Sequence, residues 1–240
     1  MADAVTSQTL VDTEKKCIFK FTNISDGSGE ANVKKIDVST LAWAKHTLTL
    51  SGAASPNFKI GEVLTVGAEK YLVTGFTAGA STVEVVGWDN TNKKATAIDA
   101  SSSSSDAVSG GVSGNNTRTY SSIAEQDFNV LVTKIMWITN GLQVAIEWDG
   151  SDNEAYIAEL AGNGVWNMSQ NELPGIPINA TGDSGNVLGD IQFSTADHGG
   201  TDSYTIIMEC KKQAPGYDIP AYEENTGLGY RVDYLLGNFT

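Results

Sequence analysis

A serine, two histidines, a cluster of acids and two thiols are the residues of this 240-residue chain with chemistry to offer. Ser184 sits in Gly182-Asp183-Ser184-Gly185, and His46 precedes it in chain order. Nucleophilic serine catalysis needs a histidine base, a carboxylate to orient it and donors for the oxyanion. His46 lies in Ala44-Lys45-His46-Thr47, inside a different compositional block, and Thr181 to Asn186 has the make-up of an ordinary turn. The stretch Asp149-Gly150-Ser151-Asp152-Asn153-Glu154 has oxygen ligands for calcium. It lacks the late bidentate glutamate of a twelve-residue calcium loop, and its place after Trp148 reads as a solvated turn. Asp197-His198-Gly199-Gly200 supplies one acid and one histidine, which falls short of a metal site. Nothing singles out a pair for glycoside hydrolysis among the 29 acids, and no phosphate-cradling glycine loop or dinucleotide fingerprint is present. No catalytic, cofactor-binding or metal-ligating residue is therefore assigned. No cofactor is expected, and the chain reads as a non-enzyme.

Charge narrows the partners. Fifteen basic against 29 acidic residues leave −14, with a sequence pI near 4.4. Nucleic acids and anionic membranes are bound through basic patches, so neither is an expected partner. No apolar run approaches the ~20 residues of a membrane-spanning helix, and Met1-Ala2-Asp3-Ala4 lacks the start of a signal peptide. Cys17 and Cys210 are too few for a disulfide scaffold or a cysteine-rich zinc site, and are expected as reduced, buried small hydrophobes. Synthesis in a cytoplasm fits that usage.

The elements that must position all these residues are strands. Helix-period stripes are nearly absent, and short alternating segments are punctuated by Gly, Asn, Asp and Ser. Lys16 to Thr22 alternates, placing Cys17, Phe19 and Phe21 on one face, and Tyr204, Ile206, Met208 and Cys210 do the same near the other end. One-sided burial of this kind implies antiparallel sheets packed face to face. The expected fold is all-β: an antiparallel β-sandwich, jelly-roll-like, with an inserted small β-barrel-like domain.

Thr139-Asn140-Gly141-Leu142 carries the preferred signature of a two-residue type I′ hairpin. That register pairs Trp137 with Val144, Ile135 with Ile146 and Thr133 with Trp148, and sets Lys134 opposite Glu147. Five short strands are expected in the insertion, around His46–Leu50, Glu62–Val66, Lys70–Gly75, Val83–Val86 and Ala95–Ile98. Residues 44–117 hold five basic and six acidic groups, while residues 123–202 hold one and twelve, which argues for two folding units. The expected division is a discontinuous main domain over 1–43 and 118–213, an inserted domain over 44–100, a Ser/Gly-rich linker over 101–117 and a C-terminal arm over 214–240. The arm, aromatic but aperiodic, either packs on its own domain or reaches a neighbouring subunit. Trp43, Trp88 and Trp166, near strand ends or loops, are core plugs or interface anchors.

Phe19-Lys20-Phe21-Thr22-Asn23-Ile24-Ser25-Asp26-Gly27-Ser28-Gly29-Glu30 resembles a strand and turn near the start of virion structural proteins of tailed bacteriophages, especially those of marine and cyanobacterial hosts. Asn57-Phe58-Lys59-Ile60-Gly61-Glu62-Val63-Leu64-Thr65 is similar to an element of small β modules spliced into phage structural proteins. The resemblance implies a capsid decoration (cement) protein on the virion exterior, with the major capsid protein and further copies of itself, as a trimer for instance, as partners. A tail, neck or baseplate role stays open within it. From another class, a glycan-binding or glycan-hydrolysing β domain is the alternative.

Overall fold

The structure, a computed structural model, describes residues 4–51, 60–77, 80–98, 107–110, 118–125, 128–149, 155–168, 176–177, 189–213 and 216–217. Its strands are β1 (Thr6–Asp12), β2 (Lys16–Asp26), β3 (Val33–Ile36), β4 (His46–Leu50), β5 (Val63–Val66), β6 (Glu69–Phe76), β7 (Thr82–Asp89), β8 (Lys94–Thr96) and β9 (Ala107–Gly110). They continue with β10 (Arg118–Glu125), β11 (Asn129–Asn140), β12 (Gln143–Trp148), β13 (Ala155–Leu160), β14 (Asn163–Asn167), β15 (Ile176–Pro177), β16 (Ile191–Ala196) and β17 (Gly200–Gln213). Two units divide the chain: residues 1–38 with 127–213, and residues 39–126 with 214–240.

The first unit is an antiparallel sandwich. Its large sheet runs β1-β2-β17-β11-β14, with β15 also on β11, and its small sheet runs β13-β12-β16-β3. The pleat sends alternate side chains to opposite faces. Cys17, Phe19 and Phe21 of β2 and Tyr204, Ile206, Met208 and Cys210 of β17 are accordingly buried on one side of the large sheet. Val144, Ile146 and Trp148 of β12 and Ile191 and Phe193 of β16 are buried in the small sheet. The two layers meet through rings: Phe193 packs edge-on against Phe21 at 5.0 Å and against Tyr204 at 6.1 Å. A fully buried Phe or Leu contributes about 1.5–3 kcal/mol, so this layer holds the unit together.

The hairpin expected at Asn140-Gly141 does not form. β11 pairs with β17, β14 and β15, whereas β12 pairs with β13 and β16, so the chain crosses from one sheet to the other at this turn. Of the two turn residues only Gly141 takes a positive φ (+82°), while a type I′ turn needs both. Lys134 stands opposite Glu209, not Glu147, and Glu147 is buried between Gln192 and Tyr156 on neighbouring strands. The reason is that alternation decides only which side chains face inward. Ile135, Val144, Ile146 and Trp148 are buried as expected, but they would be so whether the strands lay side by side or across the core.

In the second unit seven strands are ordered β4-β10-β9-β5-β6-β7-β8, and a further pairing of β4 with β7 brings the path round on itself. All five strands expected in residues 44–100 are present at those places. Leu48, Leu50, Leu64, Val66, Tyr71, Val73, Val83, Val85 and Val108 form one buried cluster. A second, of Leu72, Val86, Trp88 and Ala95, takes in Trp43, whose ring lies 6.5 Å from that of Trp88. Both tryptophans are thus packing residues.

The boundaries differ from the expected ones. β9 lies inside the stretch read as a linker and pairs with β5 and β10; β10, read as part of the main domain, pairs with β4 and β9. A curling sheet has open edges, and Val108, only 1% exposed, gives this otherwise Ser-rich segment an apolar side chain to insert. Gly216 and Tyr217, from the stretch read as an arm, belong to this unit too. The Gly216 carbonyl accepts from the Lys45 amide at 2.7 Å, and Tyr217 bridges Ala44 and is buried.

Candidate interaction surface

The described residues of catalytic type take structural places. His46, on β4 in the second unit, is buried with its Nδ1 3.2 Å from the Ala44 carbonyl. Ser184, and with it the Gly182–Gly185 turn, lies outside the described residues, as do Asp152 and Glu154. Asp149 is described and faces Lys34 at 3.4 Å. Asp197 accepts from Gln143 Nε2 at 3.2 Å, while the His198 ring sits where a side chain on Gly29 would be. Among the described residues no three His, Cys, Asp or Glu side chains gather in a way that could hold a metal. Cys17 and Cys210 are free, buried and directly opposite one another on β2 and β17. The neighbouring Cys17 thiol and burial push the Cys210 thiol well above its ordinary value.

Two polar clusters escaped sequence reasoning. Glu30 is buried between Lys35 Nζ (2.5 Å) and Tyr204 Oη, which donates to it at 2.8 Å; the Lys35 ammonium also lies 5.9 Å from the Phe193 ring centre. Glu30 exchanges further bonds with Thr195, so the cluster ties the Gly-rich turn after β2 to both sheets. Nearby, Asp190 accepts from Lys34 Nζ at 2.5 Å and from the Val38 amide at 2.8 Å. Burial nonetheless pushes the Asp190 carboxyl above its ordinary value, and hydrogen bonding to Asp190 raises Lys34. Both clusters use their charges to join loops to strands.

The feature with an outward-facing chemistry is the outer face of the large sheet. Lys20, Ile207, Met136 and Val165 lie in one cross-strand row, and Thr22, Thr205, Ile138 and Asn163 in the next. Ile138 and Val165 are 63% and 65% exposed, and a groove of about 340 Å³ runs between them and Met136 and Ile207. Glu209 and Lys134 form the following row with Ile18, and Lys16 faces Lys211 beyond it. The face therefore carries an apolar centre bordered by four lysines and one glutamate. Among the described residues none of these four lysines forms an ion pair within the chain. Apolar side chains standing free on a rigid sheet with a charged rim are the make-up of a protein-binding surface. Period two made the inward sides of β2 and β17 readable, and with them the outward ones. That four separate strands add up to one face was not.

No family model and no curated protein matches the chain. Among solved structures it aligns with one described as manganese lipoxygenase of Gaeumannomyces graminis with a partial structure of zonadhesin of Komagataella pastoris. That alignment has 7% identity over 88% of this chain and 83% of that chain, at a TM-score of 0.13. Another is with the structure of infectious bursal disease virus Gt strain, at 10% identity over 93% and 82%, also at 0.13. At such scores neither likeness carries an argument.

Proposed function

We propose that this chain is a non-enzymatic structural protein of a tailed-bacteriophage virion, acting as a decoration (cement) protein on the capsid exterior. The observation that carries the reading is the exposed, lysine-bordered apolar face on a two-layer sheet. It suits a protein that works by adhesion through a fixed surface. The resemblance of Phe19 to Glu30 to phage structural proteins supplies the setting. The major capsid protein is the proposed partner, together with further copies of this chain. A rigid sandwich adds cohesion where capsid subunits meet because its backbone need not reorganise on docking. Quantitative mass spectrometry of purified particles tests the reading. Hundreds of copies, in fixed ratio to the major capsid protein, are expected. About six to eighteen copies, matching the rotational symmetry of a tail, would move the protein there, and absence from particles would end the reading.

A further inference from the structure

We propose that the outer face of the large sheet receives the β13 edge of a second copy of this chain, with Tyr156 seated in the groove beside Ile138 and Val165. This deepens the adhesive reading above and rests on it.

Both halves of the contact are in the first unit. The receiving half has four lysines and one glutamate, a local +3 on a chain of −14, so the rest of the molecule carries −17. On balance, the rest of a second copy is accordingly opposite in sign to this face. On β13 the one charged residue is an acid, Glu159. β13 lies at the edge of the small sheet, and its Tyr156 is 70% exposed with Glu159 exposed on the same strand. An exposed tyrosine is the kind of anchor that dominates interfaces. The groove of about 340 Å³, lined by Met136, Ile138, Val165 and Ile207, has the size and apolarity to take one aromatic ring. Glu159 on the same strand has the sign that the lysine border attracts.

The two halves sit on different sheets of one sandwich, so a copy cannot satisfy its own groove. The contact joins two different patches, so a single contact leaves one half open on each copy for a further copy. Four strands spaced ~4.8 Å apart, over about seven residues of length, give a footprint of roughly 500 Å². That is below the ~800 Å² per partner of a stable standard interface. A single contact is therefore weak and salt-sensitive, and gains strength when many copies are held side by side in a shell.

Sedimentation of the full chain across a concentration series tests this. Reversible association is expected, weakening about tenfold between 50 and 500 mM salt. Ile138→Asp, which spoils the groove, and Tyr156→Ala, which removes the ring, should each give monomers. Both sites are exposed, and unchanged thermal melts would show that the variants fold. Mixing the two variants should restore a one-to-one pair, because each retains the half that the other lacks. A monomer at every concentration, association that survives both substitutions, or a mixture that stays monomeric would overturn the proposal. Capture of purified capsids by a chain that remains monomeric would also overturn it, while leaving the virion reading intact. Self-association of a chain absent from particles would do the reverse.

Discussion

At the scale of single residues the buried charges are where substitution should be felt most. Lys35 and Glu30 are about 95% buried at their side chains, so removing one partner leaves an uncompensated charge in the interior. Lys35→Met should cost about 3–5 kcal/mol in urea unfolding, and adding Glu30→Gln to it should recover part of that loss. Lys34 and Asp190 behave differently because Lys34 is half exposed and screened. Lys34→Met should cost only about 1 kcal/mol at neutral pH. The signs follow from the shifts. Lys34 is raised by Asp190, so its contribution is complete below its ordinary value of 10.5 and disappears as pH climbs through the raised value. Asp190 is raised by burial, so its ionisation subtracts stability as pH rises from the acid range. The stability gap between the native chain and Lys34→Met, measured by denaturant midpoints from pH 7 to 11.5, should therefore close at the alkaline end; a constant gap would refute the pairing. None of these pairs was legible in sequence. Glu30 ends a Gly/Ser turn with nothing to mark it as buried, and its partner Tyr204 is 174 residues away.

At the scale of elements, the turn at Asn140-Gly141 shows how a strong local signal yields to competition for edges. Both flanks of β11 and of β12 are taken by other strands, so the two are separated. The Asp202 carboxylate lies where a side chain on Gly141 would be, which leaves this crossing no room for a larger residue. Engineered crosslinks separate the two arrangements, in a background where Cys17 and Cys210 are serine. Lys134→Cys with Glu209→Cys should oxidise readily to a disulfide, losing two mass units and both reactive thiols. Lys134→Cys with Glu147→Cys, the partners of the hairpin register, should not. The strands expected at 16–22, around 204–210 and in residues 44–100 were readable because pleat alternation and turn residues are local, whereas β9, in the stretch read as a linker, was not. Pairing was not, because each edge chooses among all strands that the chain can bring to it.

At the scale of the whole molecule the charge matters more than any one site. A formal −14 keeps copies apart until a local patch of opposite sign is presented, and the large sheet gathers that patch on one face. If the chain decorates a head, particles lacking it should release DNA at a lower temperature than complete particles, measured by dye uptake during a thermal ramp. Adding back the purified chain should restore the higher value. Re-addition of Ile138→Asp should fall short of it, because neighbouring copies would no longer reinforce one another.

Sequence alone determined the all-β class, the inward sets of β2, β12 and β17, the acidity and the five strands of residues 44–100. All of these depend on residue type and on the two-residue period of the pleat. Tertiary structure alone decided that β10 joins the second unit, that Cys17 faces Cys210, that Glu30 and Lys35 are buried together, and that Lys16, Lys20, Lys134 and Lys211 share a face. Those outcomes arise where segments distant in the chain compete for the same edge or the same interior space, and no local pattern records which of them wins.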